Sequence, residues 1–121
     1  MEPVSVLLVN HSPILPPVLA QALQENDEVV VIGRVSGGKD PMELALALRP
    51  QVILVELPES GLTGLTTIGQ LRAALPEVGI IVLIALPNRS HREVILAAGA
   101  DEVVSNATLG TYLLPAIRRV T

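Results

Sequence analysis

Val52-Ile-Leu-Val-Glu-Leu-Pro-Glu59 sets four apolar residues in a row before a carboxylate, and a proline and a second carboxylate close the stretch. An uninterrupted apolar run of this length, preceded by Arg49-Pro50, predicts a strand buried on both faces, as in the middle of a parallel sheet. Glu56 then falls at the carboxyl end of that strand. In open α/β sheets ligands bind outside the carboxyl ends of the strands, so an acid there is the first candidate for chemistry.

Working outward, similar runs recur on both sides of this stretch. Ser5 to Val9, Glu28 to Gly33, Ile80 to Ala85 and Glu102 to Val104 are short, apolar and rich in β-branched residues, which predicts four more strands. Helical stripes alternate with them. Ile14 to Gln24 carries Ile14, Leu15, Val18, Leu19, Ala22 and Leu23 at helical spacing, with Pro16 and Pro17 predicting a late or distorted first turn. Pro41 to Leu48 predicts a short helix with Met42, Leu44, Ala45 and Leu48 inward, ended by Arg49-Pro50. Leu65 to Leu75 predicts a third. Ser90-His-Arg-Glu93 has the pattern of a capping box and predicts the start of a fourth, which Ala98-Gly99 ends. The last runs from Leu109 to Val120, with a kink or a lost hydrogen bond expected at Pro115.

Strand and helix thus alternate five times, which predicts a five-stranded parallel sheet with helices on both faces. A flavodoxin-like sheet of order 2-1-3-4-5 fits best. The 121 residues suffice for a single domain, 1–121, and no internal repeat or linker divides them.

Composition excludes several function classes. Half the residues are apolar, but there is one tyrosine and no Phe or Trp, so the core is aliphatic. A net charge of −4 and the lack of aromatic platforms argue against nucleic-acid binding. Without cysteine there is no disulfide, thiol nucleophile or thiolate metal site. The N-terminus lacks a basic segment and a signal-like apolar core, and no apolar run approaches the ~18 residues of a membrane span. A cytoplasmic protein that does not contact membrane is the expectation.

Three chemical motifs call for weighing. Gly33-Arg-Val-Ser-Gly-Gly-Lys-Asp40 matches the phosphate loop G-x-x-x-x-G-K-[ST] except at its last position. That position supplies the hydroxyl that ligates Mg²⁺, and a carboxylate there repels phosphate, so a connecting loop over Arg34 to Asp40 is preferred. His11 beside Ser12 lacks the strained elbow and the separated partners of a hydrolase. Asn10, His11 and Glu56 should gather at neighbouring strand ends, but they offer too few strong ligands for a metal site. His91, inside the expected capping box, is expected to face solvent, and Glu25, Asp27 and Glu28 to form a solvated turn. No nucleophile, base and orienting group assemble into a catalytic set, so no enzyme activity is expected.

The chain resembles, over nearly its whole length, the receiver domain of bacterial response regulators, the CheY-like superfamily. The resemblance rests on Val6-Leu-Leu-Val9 followed by a short loop and Pro13, on Ala45 to Pro50 with Val52-Ile-Leu-Val55, on Gly61 and Gly64-Leu65, on Ala98-Gly-Ala-Asp101 and on Ala116-Ile-Arg-Arg-Val120. In a working receiver an acid pair after strand 1 holds Mg²⁺, an aspartate after strand 3 accepts the phosphoryl group, a Ser or Thr ends strand 4 and a lysine follows strand 5. The resemblance places Asn10 and His11 at the acid pair, Glu56 at the acceptor, Ile84 at the hydroxyl, Asn106 at the lysine and Val103 at the aromatic switch. All depart from the pattern. An amide and an imidazole hold Mg²⁺ poorly, and without cation or lysine the charge developing in phosphoryl transfer is not neutralised.

The resemblance therefore implies an atypical receiver acting independently of phosphorylation, with no cofactor, no metal and no catalytic residue. Its partner is expected to be another protein or a second copy, as a homodimer. It also implies a DNA-binding output domain beyond Thr121, this domain itself not touching nucleic acid. Two alternatives stand beside it: a small-molecule or metal sensor using Asn10, His11, Glu56 and Asn106, and a conventional phosphorelay receiver with Glu56 as acceptor.

Overall fold

The alternating pattern closes into one sheet. The computed structural model describes residues 2–10, 17–24, 26–36, 39–58, 64–85 and 87–121. Its strands are β1 (Val4–Asn10), β2 (Val29–Ser36), β3 (Val52–Glu56), β4 (Gly79–Ile84) and β5 (Glu102–Ser105). Its helices are α1 (Pro17–Gln24), α2 (Met42–Leu48), α3 (Leu65–Ala74), α4 (Arg89–Ala98) and α5 (Leu109–Val120), with one 3₁₀ turn over Asn106–Thr108. The order is β2-β1-β3-β4-β5 and every neighbouring pair is parallel. This is the five-stranded flavodoxin-like sheet expected from the sequence.

β3 and β4 lie inside the sheet, and the residues Val52–Val55 and Gly79–Ile84 are buried throughout. Side chains alternate between two aliphatic cores. Leu7, Ile53, Val55, Ile80 and Val82 meet Ala45 of α2, Ile68 and Leu71 of α3 and Ile95 of α4. On the opposite face Val6, Leu8, Leu54, Ile81 and Leu83 meet Leu19 of α1 and Leu113, Ala116 and Ile117 of α5. Helices on both faces are what a doubly buried parallel sheet requires.

Several local expectations are corrected. β2 continues through Arg34, Val35 and Ser36, residues expected in a loop, because Asn10 and Ser36 pair at the far end of β1. The register with β1 shifts at Ile32, leaving one extra residue in β2, a bulge of the kind that bends an edge strand. Leu48, expected inward, is 37% exposed at the end of α2. Glu28 is not merely a solvated acid, since Arg118 of α5 donates to both its oxygens at 3.0 and 2.7 Å. The α4 cap is not Ser90. Asn88, in extended conformation, accepts from the His91 N–H at 2.8 Å, which sets Ser90 inside the first turn and leaves Glu93 in an exposed pair with Arg89. Asparagine caps as well as serine, and the earlier of the two positions wins.

Other expectations hold. Arg49, the residue before Pro50, leaves the helical region for φ 47° and ends α2. Gly99 ends α4 at φ 127°, and a Cβ there would sit 3.0 Å from Arg72 Cβ. α5 runs through Pro115, which has no N–H to donate, because Leu109, Leu113, Ala116 and Ile117 bury its apolar stripe. The proline-rich start expected for α1 at residues 14–16 lies outside the described residues.

Candidate functional site

The crossovers after β1 and β3 lead to opposite faces of the sheet, and a cleft opens at the carboxyl ends of those strands. A cavity of about 320 Å³ occupies it. Its polar lining comes from Asn10 at the end of β1, Glu56 at the end of β3, Lys39 from the β2–α2 connection and Thr67 in the first turn of α3. Val9, Val35, Val55 and Leu57 form its apolar wall.

Of the sequence-derived positions, the fold brings Asn10 and Glu56 to this cavity. Asn10 is only 2% exposed, and its Oδ1 accepts from Nε of Arg34 at 3.0 Å. A guanidinium from the neighbouring strand thus stands beside a position where a metal ion would require negative ligands. Glu56 is half-buried at the cavity. His11 lies outside the described residues. Among those described, no group of three or more His, Asp or Glu side chains is placed to hold a metal ion.

The remaining positions do not converge on the cavity. Ile84 is buried in the core shared with α2, α3 and α4, as is Val103, whose carbonyl accepts from Arg92 Nη1 at 3.0 Å. Asn106 begins the 3₁₀ turn after β5, half-buried. The hydroxyl missing from the end of β4 occurs instead at the end of β5. Ser105 Oγ donates to the Ala85 carbonyl at 2.9 Å and accepts from Ala107 N–H at 3.2 Å, so it ties backbone together.

Two features escaped the sequence reading. Lys39 lines the cavity although the family pattern seeks its lysine after β5; the signal was there, in the partial phosphate-loop match that ends on Lys39. That match is not a phosphate loop, because its first four residues are strand and Asp40 accepts from the Met42 N–H at 3.0 Å at the start of α2. The second is His91, expected in solvent. It is half-buried, with Nδ1 enclosed and unpartnered.

Lys39 and Glu56 share the cavity without touching. The ion pairs among the described residues are Arg72–Asp101, Arg89–Glu93, Arg118–Glu28 and Arg119–Glu102. Lys39 and Glu56 therefore stand farther apart than the 4.0 Å of an ion pair.

No family model matches the chain. It is 29% identical over 119 residues to a nitrate/nitrite response regulator protein homolog of Haemophilus influenzae, covering 98% of this chain and 57% of that protein. With the nitrate/nitrite response regulator protein NarL of Escherichia coli it is 34% identical over 103 residues, 83% of this chain and 46% of that protein. The chain thus spans about half the length of these curated relatives. The response regulator domain of Thermotoga maritima CheB superposes with a TM-score of 0.78 at 21% identity, covering 98% of this chain and 96% of that one. Sheet order, helix placement and this likeness agree: the chain is a response-regulator receiver domain of the CheY-like family, a module of two-component signalling.

Proposed function

We propose that this receiver works without phosphorylation, as a protein-interaction or dimerisation module in signalling or transcription control. The observation that carries the reading is the Arg34–Asn10 hydrogen bond. It sets a fixed cation and a neutral amide where phosphoryl transfer needs a carboxylate-bound Mg²⁺, so the charge developing on the phosphoryl oxygens has no metal to meet. Glu56 in the acceptor position has neither a lysine after β5 nor an ion-pair partner, which favours a solvated acid over a mimic of the phosphorylated state. Ile84, buried and without a hydroxyl, cannot report the state of Glu56 to the far face by a hydrogen bond.

Function then moves to the surfaces. Val94 and Leu96 of α4 and Tyr112 of α5 are 42, 45 and 53% exposed, which supports contact with a partner protein or a second copy. In the full-length protein an output domain that binds DNA would follow Thr121, this acidic domain itself making no nucleic-acid contact. Among the described residues no helix is long and apolar enough to cross a membrane. The test is intact-mass spectrometry after incubation with acetyl phosphate and Mg²⁺. The unmodified mass is expected; a phosphoryl adduct mapped to Glu56 would restore the phosphorelay reading.

A further inference from the structure

The cavity holds a charge arrangement that neither the fold nor the proposed function uses. Lys39 and Glu56 carry opposite charges, line one space and do not pair. α3 begins beside them at Gly64, which lines the same cavity and, as a glycine, brings no side chain to cap the first turn. The helix's first amide N–H groups thus add positive potential on the side of Thr67. One wall is aliphatic, from Val9, Val35 and Val55.

Ligand charge decides what this space accepts. A simple anion meets Lys39 but is repelled by Glu56, and a simple cation meets Glu56 but is repelled by Lys39. A molecule carrying both charges gains from both groups. A volume of about 320 Å³ lies at the low end of the ~300–1,000 Å³ range of small-molecule sites, which suits a small metabolite. We propose that the cavity binds a free α-amino acid with an aliphatic side chain. Its ammonium pairs with Glu56, its carboxylate with Lys39 and the Thr67 end of α3, and its side chain lies on the valine wall.

This inference rests on the reading that the pocket is not given over to Mg²⁺ and phosphoryl chemistry. It turns the domain into a sensor of amino-acid supply, with occupancy joining the β2–α2 connection to the end of β3.

The experiment is calorimetric titration with leucine, with isoamylamine, which lacks the carboxylate, and with 4-methylpentanoate, which lacks the ammonium. Leucine is expected to bind saturably in the millimolar range or tighter. Each one-charge analogue should bind at least about tenfold more weakly, the loss of one charge-assisted contact. Lys39→Met and Glu56→Gln, checked for native circular dichroism, should each bring leucine to the level of the analogues. No heat with leucine, or binding unchanged in both variants, overturns the inference. A parallel titration with beryllofluoride and Mg²⁺ separates the two ideas: silence there with silence for leucine removes only the amino-acid site, whereas a response there removes the reading beneath it.

Discussion

The two ends of the sheet treat charge in opposite ways. At the amino-terminal ends of the strands Arg72 reaches from α3 and donates to the carbonyls of Gly99, Pro76 and Val78 at 2.9, 3.0 and 2.7 Å. It also meets Asp101 at 2.6 Å, and the same Asp101 oxygen accepts from the Ile80 N–H at 2.9 Å. Beside this knot Arg118 holds Glu28 and Arg119 holds Glu102. These charges close turns and fasten α5 to the starts of β2 and β5. At the carboxyl-terminal ends Lys39 and Glu56 share a cavity and hold nothing. The difference teaches which charges the fold consumes. Those at the amino-terminal end are spent on structure, so they carry no message about ligands; at the other end Arg34 is likewise held by Asn10 and Asp40 by the start of α2, whereas Lys39 and Glu56 make no ion pair, and their role has to be sought in binding.

The largest expected effect follows from breaking the knot. Arg72→Met removes a guanidinium that satisfies three carbonyls and a carboxylate, with the side chain only 25% exposed, and should lower unfolding free energy by about 3 kcal/mol. Urea denaturation checks it. A loss below about 1 kcal/mol would mean that water replaces the arginine freely and that the amino-terminal end is no more specified than the other.

A smaller effect is expected at the Arg118–Glu28 pair, and it should depend on pH. The hydrogen bonds from Arg118 hold the Glu28 carboxyl below its ordinary value of 4.5. A depressed folded-state pKa means that the pair's contribution is present above the unfolded value and is lost as pH falls through the folded one. Glu28→Gln should therefore narrow the gap to wild type between neutral pH and the region below pH 4.5, as followed by the melting temperature. Both groups are more than half exposed, so the gap itself is small. A gap that widens on acidification would contradict the pairing.

The smallest effect is expected at the cavity. Glu56→Gln should change unfolding free energy by no more than about 0.5 kcal/mol in ligand-free protein, since the carboxylate has no partner to lose. A marked loss would show that Glu56 is structural and would erase the contrast between the two ends.

How much of this is legible in the sequence differs by distance along the chain. β3 and β4 are legible because a strand buried on both faces is a continuous β-branched or leucine run, a local signal. The end of β2 is not, because Arg34 and Ser36 look like loop residues and are made strand only by pairing with Leu8 and Asn10 of β1. The knot is invisible for the same reason: Arg72 finds Gly99 and Asp101 at separations of 27 and 29 residues, and Arg118 finds Glu28 at 90. At the site the family pattern located Asn10 and Glu56 but looked for a lysine only after β5, so Lys39 and the guanidinium of Arg34 went unread. Asn88 and Ser90 show a further limit, since two good caps two residues apart cannot be ranked locally.

The central claim is that the carboxyl-terminal end no longer performs receiver chemistry. Amide spectra of the ¹⁵N-labelled chain, recorded with Mg²⁺ and increasing beryllofluoride, address it most directly. Unchanged spectra are predicted, and saturable shifts clustered around Glu56 and Asn106 would contradict the account.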